Sequence, residues 1–524
     1  MFAKPRQDLA PNTVEFERLP LVKRTGFREY DARWLYPQEI NLMGIQAVGL
    51  GIAALAKQRG VPARFVVGHD YRSYSSAIKA ALIEGLLAGG AEVHDIGLAL
   101  SPMAYFAQFA LDVEGVTMVT ASHNDNGWTG IKMGIERPLT FAPEDMTALK
   151  ELVLSGDLPT PGGGKYVFVD DLPERYMADL TDRPKFERKI KAVVSCGNGT
   201  AGAFAPQVLE QLGIEVIPLN CELDYTFPAH NPNPEDMDML HATRDAVLEH
   251  KADLGLAFDG DGDRCGVVDN QGREIFADKV GVMLARDISK LHENAHFVVD
   301  VKSTGLFKTD PVLIENGART DYWKTGHSYI KRYSHKTGAL VGFEKSGHFF
   351  FNPPLGRGYD DGLVSAIAVL DMLDRNPQQT LAELRDALPE TWQSPTMSPP
   401  LRRRAEIRRG RPRCGALPEF GEEGGNAGRP EGSRAHHRER YSRGPGGRHL
   451  GSGPRLVQQA GTCGRGGKPH FGGEHAFDLR RDRRGALEAA GGRRVQSENL
   501  TPGKKLDATS DSKRLPVKCR KSAK

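Results

Sequence analysis

The sequence predicts an α/β protein of several domains, and three observations support this fold class. Its 524 residues exceed the roughly 100 to 200 residues of one ordinary domain. Short apolar, β-rich runs alternate with amphipathic stretches over most of the chain, and strand, helix and strand in succession is typical of a parallel sheet covered by helices. The alternation stops near residue 400, where the composition changes.

The pattern of strand, helix and strand occurs three times. The first unit contains RFVVGHD, SSAIKAALIEGLLAGGAEVHDIG and GVTMVTASH, and the second is KIKAVVSCGNGTAGAFAPQVLEQLGIEVIPL. The third is HFVVDVKSTGLFKTDPVLIENGARTDYWKTG. We therefore predict three similar mixed α/β domains, at residues 1–172, 173–273 and 274–388.

The composition argues against several classes of protein. Lys and Arg number 70 against 67 Asp and Glu, and this net charge of +3 argues against a dedicated nucleic-acid binder. No signal peptide opens the chain and no apolar run approaches the roughly 20 residues of a membrane helix, so we expect a soluble, cytoplasmic protein without a membrane partner. The cysteines show neither metal-ligand nor paired spacing, which favours a reducing compartment. They are Cys196, Cys221, Cys265, Cys414, Cys463 and Cys519.

A metal site is predicted in the stretch FDGDGDRCGVVD. Asp259, Asp261 and Asp263 alternate with glycines directly after the apolar run ADLGLA, so a loop at the end of a strand can turn three carboxylates toward one hard divalent cation. A solvated acidic turn is the alternative. An EF-hand is excluded because Arg264 occupies the position of its glycine and Asn270 that of its bidentate glutamate.

Ser122 follows the predicted strand GVTMVT in the stretch TASHNDNGWTGIK. Because α/β sheets bind ligands at the carboxyl ends of their strands, this serine is a candidate nucleophile beside His123. Considered alone, it would more often cap a turn through its hydroxyl. Lys132 and the predicted metal change that balance, since a hydroxyl, a cation and a divalent metal together make a phosphoryl-transfer site.

Two further polar loops could belong to such a site. KTGHSYIK contains His327 and Lys331, and VGFEKSGHFF contains Glu344, Ser346 and His348 after a predicted strand. Polar side chains in loops are usually solvated, so neither loop is evidence by itself.

Four motifs together resemble those of the α-D-phosphohexomutases, in particular the bacterial phosphomannomutase/phosphoglucomutase group. That family has a phosphoserine loop of the form TASHNPxxYNGxK, a metal loop DGDGDR, a sugar-recognition loop GExSGH and an opening segment YDxRG. Here the segments read TASHNDNGWTGIK, DGDGDR, GFEKSGH and YDARW, with matching order and spacing from about Phe27 to Asp361. Four motifs in register are specific, whereas any one of them would not be.

The resemblance implies three domains around a cleft, followed in the family by a fourth. It implies transfer of a phosphoryl group between O1 and O6 of mannose or glucose phosphates, through a phosphoserine and a 1,6-bisphosphate, with Mg²⁺ as cofactor. Ser122 matches the phosphoserine, and Asp259, Asp261 and Asp263 match the metal ligands, which the phosphoserine oxygen completes. The other implied roles are phosphoserine contacts for Arg264 and His123, proton transfer for Lys132 and Arg33, and a substrate cleft for Tyr30, Lys302, His327, Glu344, Ser346 and His348.

Four positions depart from the family motifs without removing a reacting group. Asp125 stands in place of proline and Thr129 in place of asparagine. Trp34 stands in place of glycine, and Phe343 separates the usual glycine and glutamate pair. These departures indicate a subgroup and leave the choice between glucose and mannose phosphates open.

The end of the chain departs further. The fourth family domain carries a loop such as RxSxTEP or RASSNKPE that holds the substrate's second phosphate, and no such string occurs here. After SPTMSPP the sequence is rich in arginine and glycine and has no helix or strand period. We predict a disordered tail at residues 389–524 in place of the fourth domain. A tail of this composition could also bind RNA.

A shifted reading frame explains this tail. In the frame that starts one base later, each codon takes the last two bases of the codon for one residue of this sequence and the first base of the next. In that frame, GPRLVQQAGTCGRGGKP permits VRASSSKPELAVVVES, which resembles the missing phosphate loop. PLRRRAEIRR permits HCADE, one undetermined residue and KYDV, and EHAFDLRRDRRGALE permits the amphipathic NMRSIFAEIDAVL. AAGGRRVQSENLT permits RPEVGEYNQKI and then a stop across Leu500 and Thr501. Because one frame works at four places, we predict a frameshift near Pro399.

Two functional hypotheses follow. The first is a phosphohexomutase whose activity, in the chain as printed, is impaired because the groups that hold the substrate phosphate are lost. The alternative is a non-catalytic sugar-phosphate-binding or RNA-associated protein with a basic tail, for which salt-sensitive nucleic-acid binding would be evidence. The sequence indicates neither the preferred sugar nor the oligomeric state.

Overall fold

The computed structural model describes residues 2–391, which form three sheets one after another along the chain. The frameshifted tail predicted at 389–524 therefore lies outside the described residues, apart from its first three. The first sheet and its helices comprise, in chain order, α1 (Val14–Arg18), β1 (Ala32–Leu35), α2 (Leu42–Gln58), β2 (Arg64–His69), α3 (Ser75–Ala88), β3 (Glu92–Leu98), α4 (Ser101–Ala110), β4 (Gly115–Val119), β5 (Trp128–Gly134), α5 (Pro143–Ser155) and β6 (Lys165–Phe168).

The second sheet follows after α6. Its elements are α6 (Leu172–Thr181), β7 (Lys191–Ser195), α7 (Ala205–Gln211), β8 (Glu215–Leu219), α8 (Met237–His250), β9 (Leu254–Phe258), β10 (Cys265–Asp269) and β11 (Glu274–Ile275). The third sheet begins after α9. Its elements are α9 (Ala277–Leu291), β12 (His296–Asp300), α10 (Leu306–Thr309), α11 (Pro311–Glu315), β13 (Arg319–Trp323), α12 (His327–Thr337), β14 (Val341–Phe343), β15 (Phe349–Phe351), α13 (Gly362–Arg375) and α14 (Leu381–Asp386).

Each sheet has a parallel centre and an antiparallel addition. In the first, β4, β2, β3 and β6 are parallel, and β5 and β1 are added antiparallel. In the second, β7 pairs in parallel with β8 and β9, while β10 and β11 are antiparallel. In the third, β12 pairs in parallel with β13 and β14, and β15 is antiparallel. The prediction of three mixed α/β units is confirmed.

The central strands have the buried, apolar character expected of sheets covered on both faces. Every residue of β4, β9 and β12 is buried, and α3 and α4 pack on the first sheet. One continuous apolar core contains side chains of all three sheets. Along residues 2–391, no helix has both the length and the apolar character needed to cross a bilayer.

The carboxyl ends of the parallel strands carry the predicted motifs. The serine loop follows β4, the aspartate loop follows β9, and the loop with Glu344 follows β14. Parallel strands and their helices place such loops at one edge of each sheet, where α/β proteins bind ligands. The fold therefore positions three loops from three sheets for a common site.

Candidate active site

Ser122 is buried in a strained turn directly after β4. Its side chain and backbone are 2% exposed, and its φ of 52° lies in the left-handed region that residues other than glycine adopt at a cost of ~1 kcal/mol or more. The Ser122 amide donates to Thr120 Oγ1 at 2.7 Å, which holds the turn. Its hydroxyl lies 3.2 Å from Asp259 Oδ2 and 3.2 Å from His123 Nδ1. The turn thus presents the serine hydroxyl to the aspartate loop of another sheet.

Asp70 and Arg72, which the sequence reasoning did not single out, hold this turn from below. Both are buried and paired with each other. Asp70 Oδ2 also accepts from Thr120 Oγ1 at 2.9 Å, and Arg72 Nη2 donates to the carbonyl oxygens of Ser122 at 3.0 Å and Asn124 at 2.8 Å. Their position in the sequence could have indicated this role, because they follow β2, the parallel neighbour of β4 in the sheet.

The three predicted aspartates form one buried cluster. Asp259, Asp261 and Asp263 are each 0% exposed, and one carboxylate oxygen from each lies within 4.8 Å of the others. Asp259 Oδ1 accepts from the amides of Asp263 and Arg264, at 3.1 and 3.2 Å, so the loop wraps around this carboxylate. Arg264 Nε donates to Asp259 Oδ2 at 3.0 Å.

Gly260 allows the serine loop and the aspartate loop to touch. A Cβ atom at this position would lie 2.6 Å from the Ser122 carbonyl oxygen, closer than real Cβ contacts come. Any larger residue would push the two loops apart. The glycine between the first two aspartates therefore serves close approach as well as the turn itself.

The cluster is chemically suited to a hard divalent cation. Asp261 Oδ1 and Asp263 Oδ1 are buried and find no hydrogen-bond partner within the described part of the chain. Lys132 Nζ donates to Asp261 Oδ2 at 2.7 Å and also pairs with Asp263. Three carboxylates thus face the cations of Lys132 and Arg264, and carboxylate oxygens are the ligands that such a cation prefers. The residues present fit a metal ion.

The buried charges shift one another's pKa values. Burial, with the nearby charge of Asp263, raises the pKa of Asp259 to about 7. Burial opposes ionisation of Asp261, but the ion pair with Lys132 and a hydrogen bond from Ser101 Oγ at 2.6 Å outweigh it and lower the Asp261 pKa. Burial likewise disfavours the Lys132 cation, yet Asp261 and Asp263 raise its pKa well above the usual value. Lys132 is therefore a cation here.

His123 is neutral at physiological pH. Burial, together with the cations of Arg264 and Arg33, holds its pKa well below the usual value. Arg33 itself reaches the serine loop, where its Nη1 donates to the Ala121 carbonyl at 2.7 Å and to Asn124 Oδ1 at 2.5 Å. A neutral imidazole beside Ser122 Oγ can accept a proton.

The third sheet supplies buried polar groups that line the cleft and have unused hydrogen-bonding capacity. Glu344 Oε1 accepts from the Gly326 amide at 2.7 Å, whereas Glu344 Oε2, Ser346 Oγ and both ring nitrogens of His327 have no hydrogen-bond partner among residues 2–391. Burial raises the pKa of Glu344 and lowers that of His327. Buried polar atoms without partners cost free energy unless a ligand or water pairs with them.

His348 is oriented by a carboxylate that the sequence reasoning did not identify. Its Nδ1 lies 2.9 Å from Asp360 Oδ2, and Lys331 Nζ lies 2.8 Å from Asp360 Oδ1. Lys331 is fully buried over the ring of Tyr105, with Nζ 4.1 Å from the ring centroid. Burial opposes the His348 cation, but Asp263 and Asp360 raise its pKa above the usual value.

These groups surround one cleft of about 470 Å³. The structure brings nearly all of the sequence-predicted site residues to its wall. Tyr30 lies edge-on to His327, with ring centroids 4.6 Å apart, and Lys302 is exposed at the rim after β12. Asp259, Asp261 and Asp263 lie behind the wall, in contact with it through Ser122, Lys132 and Arg264. The wall itself includes Tyr30, Arg33, Ser122, His123, Lys132, Arg264, Lys302, His327, Glu344, Ser346 and His348.

Two departures from the family motifs are accommodated by packing. Trp34 is fully buried, and its indole nitrogen donates to the Lys23 carbonyl at 2.8 Å. Gly26 provides the space, because a Cβ atom there would lie 1.9 Å from the indole. Phe343 ends β14 inside the core and leaves Glu344 facing the cleft. Neither departure displaces a cleft residue.

Profiles of one protein family match three consecutive parts of the chain. The profile described as phosphoglucomutase/phosphomannomutase, alpha/beta/alpha domain I, matches residues 24–159. The corresponding profiles for domain II and domain III match residues 174–272 and 276–392.

Individual proteins agree with these matches. The phosphomannomutase/phosphoglucomutase of Pseudomonas syringae pv. tomato is 37% identical over 379 residues, which cover 72% of this chain and 80% of that protein. The phosphoglucomutase of Neisseria gonorrhoeae is 34% identical over 379 residues, with the same two coverages. The crystal structure of a phosphoglucomutase/phosphomannomutase family protein from Burkholderia thailandensis is 30% identical, with a TM-score of 0.66 over 72% of this chain and 82% of that one. The predicted family is confirmed, and the chain belongs to the phosphoglucomutase/phosphomannomutase family.

Proposed function

We propose that the protein is of phosphohexomutase type and interconverts hexose 1-phosphate and hexose 6-phosphate, with mannose, glucose or both as the sugar. One observation carries this proposal. The Ser122 hydroxyl lies 3.2 Å from the buried aspartate cluster on one side of the cleft, and unpartnered polar side chains of the third sheet line the other side. A phosphate carrier therefore faces a surface that can hold a sugar.

Ser122 carries the phosphoryl group in this proposal. His123 and Arg33 hold the serine loop, and Lys132 supplies positive charge beside it. The transition state of phosphoryl transfer is loose and spreads negative charge over its oxygens, so cations fixed in position lower the barrier. Lys132 and Arg33 also assist proton movement to and from the reacting oxygens, the role that the family resemblance gives them.

Mg²⁺ is the proposed cofactor. Asp259, Asp261 and Asp263 would hold it together with an oxygen of the phosphorylated serine, and their oxygen-only donor set favours a hard cation. The ion supplies charge neutralisation for the transferring phosphoryl group. Arg264 binds the same group by reaching from Asp259 toward the cleft, where it also contacts Glu235.

The third sheet recognises the sugar. Glu344 Oε2 and Ser346 Oγ are buried acceptor and donor atoms that would bind sugar hydroxyls. His327 and His348 lie close by, with ring centroids 5.5 Å apart, and Tyr30 and Lys302 complete the substrate surface. In the proposed cycle, phosphoserine gives its group to the sugar phosphate, the 1,6-bisphosphate turns over within the cleft, and the other phosphate returns to Ser122.

The chain as printed lacks the loop that would hold the second phosphate. The family profiles end at residue 392, and the alignment to the Pseudomonas syringae protein leaves one fifth of that protein uncovered. Both facts support the frameshift that we propose near Pro399. Without a clamp on the second phosphate the substrate loses affinity and alignment, so we expect impaired turnover in the cytosol, where we place the protein.

Transfer of a phosphoryl group to Ser122 tests the proposal. The purified chain is incubated with excess glucose or mannose 1,6-bisphosphate and Mg²⁺, and phosphopeptides are mapped by mass spectrometry. A single transfer does not require a full catalytic cycle. Excess bisphosphate compensates for weak binding by mass action. We expect phosphate on Ser122, its loss in Ser122→Ala, and its retention in the control Ser73→Ala, an exposed serine in the loop between β2 and α3.

Other results would count against the proposal. Phosphate at a different serine, or equal labelling in Ser122→Ala, would show that Ser122 is not the carrier. Tight binding of hexose phosphates with no labelling, or salt-sensitive RNA binding by the full chain, would instead favour the non-catalytic alternative.

A further inference from the structure

Two cysteines that are 25 residues apart in the sequence meet at one end of the second sheet. Cys196 directly follows β7, and Cys221 follows β8, its parallel neighbour in the second sheet. Their sulfur atoms lie 3.5 Å apart. The sequence spacing of 25 residues gave no sign of this pair, because the contact depends on the register in which Ser195 lies beside Leu219.

The two thiols have different surroundings. Cys196 is fully buried, whereas Cys221 is partly exposed. Burial raises the pKa of the Cys196 thiol, while the hydrogen bond with Cys196 lowers the pKa of Cys221. Cys221 is therefore the more exposed residue of the pair, and its thiol more readily becomes the thiolate, which is the reactive form.

We propose that Cys196 and Cys221 are a reversible redox-modification site that a hydroperoxide converts to a disulfide. The Cys221 thiolate attacks the peroxide, a sulfur–oxygen bond forms and the oxygen–oxygen bond breaks, giving a sulfenic acid and an alcohol or water. Cys196 then attacks the Cys221 sulfur, the sulfur–sulfur bond forms, and the sulfenic oxygen leaves as water with the thiol proton. Two thiols are oxidised and one peroxide is reduced.

The site adjoins the predicted metal loop. The Thr200 amide donates to the Gly260 carbonyl at 3.3 Å, and Thr200 Oγ1 accepts from the Tyr71 amide at 2.9 Å. Cys196 begins the same turn, since the Gly199 amide donates to its carbonyl at 2.8 Å. Closing the sulfur separation from 3.5 Å to the ~2.0 Å of a disulfide requires rotation of the two side chains or a shift of the turns that carry them.

Peptide mapping of the full chain tests the proposal. The folded protein is treated with hydrogen peroxide and the peroxide is removed. The protein is then unfolded in urea with iodoacetamide, which blocks every remaining free thiol, and peptides are identified without reduction. We expect a linked Cys196–Cys221 peptide, loss of both alkylated forms, and recovery of both after reduction. Cys265, which is buried and has no sulfur partner at this distance among the described residues, provides an internal control that should stay a free thiol and be alkylated in both samples.

Three further samples decide whether the fold directs this reaction. Cys221→Ser should remove the linked peptide, and protein unfolded in urea should give mixed pairings. A background with Cys414→Ser, Cys463→Ser and Cys519→Ser should leave the Cys196–Cys221 link unchanged. The proposal is overturned if peroxide leaves Cys196 and Cys221 as free thiols in the folded chain, or if the link is no more abundant in folded than in unfolded protein.

Discussion

Lys132 connects the chemistry of the site to its stability. Its ammonium group is buried and pairs with two of the three clustered carboxylates, Asp261 and Asp263. A buried charge without its partner is strongly unfavourable, so each side of this arrangement depends on the other. A cation bound by the aspartates would take over part of the charge balance that Lys132 provides.

Lys132→Met should make folding depend on a divalent cation. Removing one member of a buried ion pair costs ~3–5 kcal/mol, and it leaves the carboxylates more attractive to a cation. We expect a lower melting temperature in chelator and a larger rise on adding Mg²⁺ than in the wild-type chain, both measured by scanning calorimetry. Lys79→Met breaks the Lys79 pair with Asp95 away from the cluster and should lower the melting temperature without the larger Mg²⁺ response.

Asp361 couples stability to pH at a position outside the cluster of Asp259, Asp261 and Asp263. It is 1% exposed and caps α13, with Oδ1 accepting from the Leu363 amide at 2.9 Å and Oδ2 from Tyr176 Oη at 2.8 Å. Burial nevertheless raises its pKa to about 7. The folded state therefore keeps the Asp361 proton at pH values where the unfolded chain has lost it.

Asp361→Asn should remove a loss of stability on the alkaline side. Below about pH 4 the Asp361 carboxyl is protonated in both states. As pH rises from about 4 to about 7 it ionises first in the unfolded state, so the free energy of unfolding of the wild-type chain falls by up to ~4 kcal/mol. Above the folded pKa this contribution is fully lost. Asparagine keeps the cap and cannot ionise. We expect the urea midpoint to fall less between about pH 5 and about pH 8 in Asp361→Asn than in wild type. An equal fall in both proteins would contradict this.

Asp236→Asn, at the cap of α8, controls for a lost cap charge.

The sequence motifs of the candidate site could be predicted, but the residues that hold them in place could not. Ser122 and the three aspartates stand in short, specific patterns beside predicted strand ends. Asp70 and Asp360 act through partners 50 and 12 residues away, such as Thr120 and His348. No local pattern encodes such pairs, because only the folded sheets bring them together.

Glycines set the spacing of two helices on the first sheet. A Cβ atom on Gly85 in α3 would lie 2.2 Å from the Gln46 carbonyl oxygen in α2, and one on Gly49 would lie 2.5 Å from the Leu82 carbonyl oxygen. The helices therefore pack backbone against backbone. Both helices share one apolar cluster with strands of the first sheet, which carries Ser122.

Gly85→Ala should destabilise the chain although alanine favours helices. The gain in helix propensity is ~1 kcal/mol, whereas overpacking against a backbone atom that has no room to move costs ~1–3 kcal/mol or more. We expect a lower urea midpoint. Gly305→Ala, with helical φ and no heavy atom within 4 Å of the added Cβ, should leave the midpoint unchanged or raise it. A stabilised Gly85→Ala would mean that the helices separate freely.

The repeated strand, helix and strand pattern predicted the parallel centre of each sheet. The antiparallel additions follow less from local pattern. β11 has two residues and β15 three, too short for a period to register. The junctions between domains, at 172 and 273, remain a prediction.

The three sheets of residues 2–391 interlock at the level of single hydrogen bonds. Ser101 Oγ of the first donates to Asp261 Oδ2 of the second at 2.6 Å, and Ser328 Oγ of the third donates to the Phe141 carbonyl of the first at 3.1 Å. Tyr176 and Asp361 join the segments before the second sheet and after the third. Direct contacts therefore join the three sheets around the cleft that the Ser122 loop and the Glu344 loop share.

Mutase turnover with and without a restored reading frame tests the central claim most directly. Deleting one base at the Pro399 codon moves the chain into the frame that permits VRASSSKPE, and conversion of hexose 1-phosphate to hexose 6-phosphate is then compared with that of the printed chain. We predict turnover in the restored chain and its loss in restored Ser122→Ala. In the printed chain we predict a rate reduced by on the order of 10²-fold or more, because the substrate phosphate is not held. Equal rates in the printed and restored chains, or turnover that survives Ser122→Ala, would contradict it.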